Sequence, residues 1–75
     1  MAIKIRTGGL TLKRYIPDIY YVDIDSPLTV RDLLTKLGIP EGLIAGVIID
    51  GKIVDKSYEI KDGQEIVLMP PISGG

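Results

Sequence analysis

Apolar and polar residues alternate near both ends of this chain. From Ala2 to Arg6, Ile3 and Ile5 fall on one face and Lys4 and Arg6 on the other, the period of a half-buried strand. Glu65 to Met69 repeats the pattern, with Ile66 and Leu68 on one face and Val67 and Met69 on the other. Between them Val30, Leu33, Leu34 and Leu37 stand at i, i+3, i+4 and i+7, which predicts a helix with one apolar stripe. Thr29 is placed to cap that helix. Asp32, three residues on, gives a variant of the capping box and puts negative charge in the first turn. Gly38 suits a left-handed C-cap, and Pro40 follows it. The stripe reads as core rather than as a partner-binding face.

The remaining segments complete a two-layer pattern. Gly8-Gly9 marks a turn, and Ile19 to Ile24, rich in β-formers, reads as the return strand of a hairpin. Leu10 to Pro17 follows no single period, and Pro17 bars a central strand position there. Val47-Ile48-Ile49 and Lys52-Ile53-Val54 flank Asp50-Gly51, a strong two-residue hairpin signal. Asp55 to Lys61 is a polar crossing segment, with Tyr58 and Ile60 as plugs into the core, and Asp62-Gly63 is a further turn. The expected fold is α+β, a mixed four- to five-stranded sheet packed on one helix. If the first and last strands lie side by side at the centre, the layout is the β-grasp, or ubiquitin-like, one; alternation leaves that pairing open. Residues 1–69 form the expected domain and 70–75 a flexible C-terminal tail.

Composition narrows the chemistry. The chain has 75 residues, a net charge of −1, and no Cys, His, Phe or Trp. Disulfides and thiolate metal sites are excluded, and a domain this small must be held by Ile, Leu and Val packing. The commonest general base and the best nucleophile are both missing, so catalysis by this chain alone is not expected. Charges of both signs are interspersed, with no basic stripe carrying interleaved aromatics, which argues against nucleic acid. No apolar run approaches the roughly 18 residues of a membrane span, and Met-Ala-Ile-Lys-Ile lacks the h-region of a signal peptide. A cytoplasmic protein is expected. Tyr15, Tyr20 and Tyr21 read as strand packing rather than a ligand box, and Lys13-Arg14 is too short for a binding patch, though it could rim a partner interface.

The chemical interest concentrates in the tail, Met69-Pro70-Pro71-Ile72-Ser73-Gly74-Gly75. Two prolines favour a stiff, extended path. The two glycines make the thinnest and most pliable tip a peptide can have. Six extended residues from Pro70 to Gly75 reach about 20 Å, enough to enter a buried site in another protein.

From Asp62-Gly63-Gln64-Glu65 through Pro70-Pro71-Ile72-Ser73-Gly74-Gly75, the chain resembles the C-terminal signature of the MoaD-type sulfur carriers, the small subunits of molybdopterin synthase. The family pattern is roughly D-G-D-E-V, an apolar pair or trio, then P-P-V-S-G-G; Gln64 and Ile72 depart from it conservatively. Thr29 to Leu34 and the Asp50-Gly51 turn are also similar to that family, so the resemblance covers most of the chain. It implies that Gly75 carries the chemistry. A terminal carboxylate, with a pKa of about 3.5, is ionised and a poor electrophile at neutral pH, so it must be activated. The resemblance implies adenylation by a ubiquitin-activating-like enzyme that uses ATP and Mg, then conversion to a thiocarboxylate with sulfur from a sulfurtransferase. A molybdopterin synthase large subunit then takes that sulfur. The chain itself is expected to bind no cofactor or metal. Gly74 would let partner channels close around the tail, and Pro70 and Pro71 would hold it off the domain, with Ile72 and Ser73 completing the stem.

Alternation also suggests a partner surface, because Ile48, Val67 and Met69 should share the face away from the helix, beside the exit of the tail. Three alternatives stand beside the molybdopterin reading. They are a sulfur carrier of the thiamin pathway (MoaD and ThiS proteins being related), a ubiquitin-like modifier conjugated through Gly75, and a non-covalent β-grasp binding module with an incidental Gly-Gly.

Overall fold

The two alternating ends of the chain meet at the centre of one sheet. The structure is a computed structural model, described here for residues 2–8 and 12–71. Its strands are β1 (Ala2–Thr7), β2 (Ile19–Asp23), β3 (Leu28–Thr29), β4 (Gly46–Ile49), β5 (Lys52–Val54), β6 (Glu59–Ile60) and β7 (Glu65–Met69), with a single helix among the described residues, α1 (Val30–Leu37). The main sheet has the order β2-β1-β7-β4-β5. β1 and β7 run parallel, with Ile5 opposite Ile66, and every other neighbour in the sheet is antiparallel. This central parallel pair is the β-grasp arrangement that alternation alone left open.

The helix forms where its caps and stripe place it. The Thr29 hydroxyl accepts a hydrogen bond from the Asp32 amide at 3.1 Å, which satisfies one of the free first-turn donors. Gly38 closes the other end in the left-handed region, φ 73°, with its amide donating back to Leu34 and Thr35. Val30, Leu33 and Leu34 are buried against the sheet, and Leu37 packs at the margin. The face they cover carries Ile3 and Ile5 from β1, Val47 and Ile49 from β4, and Ile66 and Leu68 from β7. The buried core consists of Ile, Leu and Val throughout, and no polar or charged residue is buried among the described residues. Each such side chain contributes about 1.5–3 kcal/mol relative to exposure.

Three segments differ from the sequence reading. The unassigned stretch before Pro17 contains a 3-10 turn, Leu12–Arg14, which drives Leu12 and, just after it, Ile16 into the core. The polar crossing contains β6, which pairs with β3 in a separate two-stranded sheet. Two-residue strands are too short to show a period, so neither was legible. Ile60 is fully buried and Tyr58 packs partly against the core, as expected. The tyrosines stay partly exposed, at 41%, 38% and 65% for Tyr15, Tyr20 and Tyr21; Tyr20 stands opposite buried Ile5 on the helix-facing side and Tyr21 opposite Lys4 on the other. β2 is an edge strand, so its aromatic rings have a sheet neighbour on one side only.

Candidate functional site

The base of the tail is built by the strand ends around β7. β7 stops at Met69, whose carbonyl accepts a hydrogen bond from the Ala45 amide at 2.8 Å. That bond ties the end of β7 to the entry of β4 and fixes where the chain leaves the sheet. Pro70 is half-buried and Pro71 exposed. Ile72, Ser73, Gly74 and Gly75 lie outside the described residues.

Val67, Met69 and Ile48 do share the face away from α1. Ile48 lies opposite Val67, and Gly46 opposite Met69. Val67 and Ile48 are half-buried by their neighbours, while Met69 is exposed. Two further residues complete this surface and were missed from the sequence. Ile53 stands opposite Ile48 across the β4–β5 hairpin and is 83% exposed. Gly46 has open space where a Cβ would stand. Ile48, Ile53, Gly46 and Met69, with Ala45, Val47 and Pro70, border an apolar groove of about 360 Å³, whose one end is the first residue of the tail; Val67 stands beside it, opposite Ile48. The signal for Ile53 was present in Asp50-Gly51. Both residues have positive φ, 51° and 83°, as a two-residue hairpin turn of this kind requires, and that turn pins the register that sets Ile53 on Ile48.

Charge borders the groove rather than entering it. On the same sheet face, Lys4 and Arg6 converge on Glu65 at 3.4 and 3.9 Å. These exposed pairs are worth little stability, but they divide the apolar groove from the β2 edge. A second cavity, about 380 Å³, lies by Arg31, Lys56 and Ser57. Its cations are engaged within the chain, Arg31 with the Glu41 carboxylate at 3.0 Å and Lys56 with the Glu41 carbonyl at 3.2 Å. Among the described residues no cluster of acidic side chains is arranged to hold a metal ion, and no helix is long and apolar enough to cross a membrane. The groove has the lining to take up apolar side chains of another protein, and it lies at the root of the tail.

The model of the ThiS family matches residues 20–75, which includes the tail signature. The chain belongs to the ThiS family. It is a ubiquitin-like sulfur carrier by that membership. No curated protein matches this ThiS-family chain by sequence. Solved structures do match over its whole length. SAMP1 of Haloferax volcanii, a small archaeal modifier protein, superposes with a TM-score of 0.74 at 21% identity, with 100% of each chain covered. A second Haloferax volcanii protein gives 0.77 at 23% identity, covering 100% of this chain and 87% of its own. A chain from the complex of subunits 1 and 2 of the Helicobacter pylori molybdopterin-converting factor gives 0.63 at 22% identity, with 100% of each chain covered. At these identities the likeness establishes the β-grasp fold of this ThiS-family protein.

Proposed function

We propose that this protein carries sulfur on Gly75 for molybdopterin formation, as a non-catalytic subunit that works in the cytoplasm. In the first step a Gly75 carboxylate oxygen attacks the α-phosphorus of ATP and pyrophosphate leaves. Sulfide-level sulfur from a sulfurtransferase then attacks the carbonyl carbon, AMP leaves, and a thiocarboxylate remains. A large catalytic subunit withdraws that sulfur, and water restores the carboxylate. ATP and Mg belong to the adenylating enzyme, and the sulfur acceptor to the large subunit. The chain supplies a thin, extended tail and a docking face at its root.

The observation that carries this reading is the position of the apolar groove. It opens where Met69 passes into Pro70, at the start of a stem and Gly-Gly tip that lie inside the family match. A partner that grips the groove would hold the tail within its roughly 20 Å reach of a buried site. The Helicobacter pylori relative was solved in complex with a second subunit of its factor, which supports a large-subunit partner. A second reading, a protein modifier joined to lysines through Gly75, is supported by the full-length likeness to SAMP1.

Intact-mass measurement of the protein purified from its own cells tests both. The carrier should be heavier by one sulfur-for-oxygen exchange, located at Gly75 by fragmentation. An unshifted mass, together with no ATP-dependent labelling by the cognate adenylating enzyme, would sink the carrier reading. Higher-mass species with Gly75 in isopeptide linkage would favour the modifier. Loss of molybdenum- or tungsten-enzyme activity on gene deletion, without thiamin auxotrophy, separates the molybdopterin branch from the thiamin one.

A further inference from the structure

The exposed large apolar side chains among the described residues fall into two groups. Ile53 and Met69 border the groove described above. Of the other four, Ile19, Tyr20 and Tyr21 lie on β2 and Tyr15 in the turn that precedes it, and the proposed carrier function makes no use of them. β2 is the terminal strand of the order β2-β1-β7-β4-β5, so one side of its backbone has no strand partner among the described residues. Edge strands are usually blunted by lysine, proline or a bulge. Ile19-Tyr20-Tyr21-Val22-Asp23 contains none of these; Pro17 stands only before it.

The register shows which backbone groups are open. Thr7 donates to the Asp18 carbonyl at 3.0 Å, and Arg6 lies opposite Ile19. Antiparallel pairs alternate between hydrogen-bonded and non-hydrogen-bonded. Ile5–Tyr20 and Ile3–Val22 are therefore bonded to β1, and the N–H and C=O groups of Ile19, Tyr21 and Asp23 point outward. The Lys36 ammonium bears this out by reaching the Asp23 carbonyl at 3.4 Å from the helix side. A carbonyl has a second lone pair, so Asp23 can still accept from a strand.

We propose that the β2 edge is a self-association site at which a second copy of this chain adds its own β2 antiparallel, extending the sheet across a two-fold axis at Tyr21. The edge is self-complementary in that register. Tyr21 meets Tyr21 of the other copy, and Ile19 meets Asp23, with each pair exchanging both main-chain hydrogen bonds. Charge selects the antiparallel sense. The amino-terminal end of β2 lies beside the basic turn, where Lys13 sits 3.4 Å from Asp18 and Arg14 is exposed. The other end carries exposed Asp23 and Asp25. Antiparallel copies bring the basic end against the acidic one, whereas parallel copies would bring like against like. The contact is one short strand and its flanks, well under a standard interface, so the dimer is weak and concentration-dependent. It leaves the groove and the tail root of each copy open, since these lie across the Lys4–Arg6–Glu65 band.

The test is sedimentation and hydrogen exchange on the full chain, from low micromolar to near-millimolar concentration. The weight-average mass should rise from one copy towards two. Over the same range the amides of Ile19, Tyr21 and Asp23 should gain protection while those of β5 do not. Tyr21→Pro removes one outward donor without touching the β1 ladder and should hold the protein monomeric, as judged beside an unchanged circular dichroism spectrum. Ile53→Lys, at the other edge, should dimerise normally. A monomer with freely exchanging edge amides at every concentration would overturn the dimer and leave the edge to an extended peptide of another protein. A dimer insensitive to Tyr21→Pro, or one abolished by Ile53→Lys, would overturn it equally.

Discussion

Gln64 departs from the Asp of the MoaD-type pattern, and its surroundings give the reason. Its amide nitrogen donates to Asp50 Oδ2 and to the Tyr58 hydroxyl, both at 3.0 Å. Its carbonyl oxygen accepts from the Lys61 amide at 2.9 Å. A carboxylate could accept but not donate. Gln64 thus joins the β4–β5 turn, the crossing segment and the entry to β7. Replacing it with Glu keeps the shape, removes both donations and sets a negative charge against Asp50. Gln64→Glu should cost on the order of 1–2 kcal/mol at neutral pH, read from urea unfolding. Like-charge contact raises carboxylate pKa values in the folded state. The electrostatic part of the cost is therefore full only above the raised folded-state value and should shrink as pH falls towards the ordinary carboxylate range, about 4, where a protonated carboxyl recovers a donor. A penalty that stays constant down to acid pH would contradict this account.

The β4–β5 hairpin is the element that turns a sheet face into an apolar groove. Its tight turn fixes the register, and the register places Ile53 beside Ile48 and leaves Gly46 facing Met69 without a side chain. Gly46 has an ordinary backbone, not the left-handed one, and open space at its Cβ position. Gly46→Val should therefore leave the unfolding midpoint nearly unchanged while its methyls fill the groove. Ile53→Lys should likewise spare the fold, because the side chain is almost wholly exposed. Each should weaken binding to the adenylating enzyme or the large subunit by about tenfold or more, the scale of a central interface residue. Calorimetric titration with the purified partner would measure it. Wild-type affinity in both variants would remove the groove from the interface.

As a whole, the molecule keeps its core apart from the tail to which the proposed function assigns the chemistry. The core lies between α1 and the sheet, and the described part of the tail, Pro70 and Pro71, lies at the rim beyond β7. Deleting Gly74 and Gly75 should leave the melting temperature where it is, because every Ile, Leu and Val of the described core is kept. The same deletion should abolish ATP-dependent labelling by the adenylating enzyme completely. Labelling that persists after the deletion would show that the reactive group is elsewhere. A partial loss of labelling alongside a lowered melting temperature would mean that the tail also stabilises the domain.

The sequence by itself determined what depends on near neighbours. The helix and both its caps follow from Thr29, the apolar stripe and Gly38. The hairpin follows from Asp50-Gly51, and the inward faces of β1 and β7 follow from strict alternation, since a strand reverses its side chains at every residue. The tail signature was legible because it lies in a contiguous run of residues. Only the tertiary structure decided what depends on distant strands coming together. It made the first and last strands parallel neighbours, and it made β2 an edge, which left Tyr20 and Tyr21 partly exposed. It paired two-residue β3 with β6, too short for any period to register. It also added Ile53 and Gly46 to a surface that alternation had sketched with Ile48, Val67 and Met69. A period of two says which side chains share a face of one strand, but only the order and register of strands say which faces adjoin.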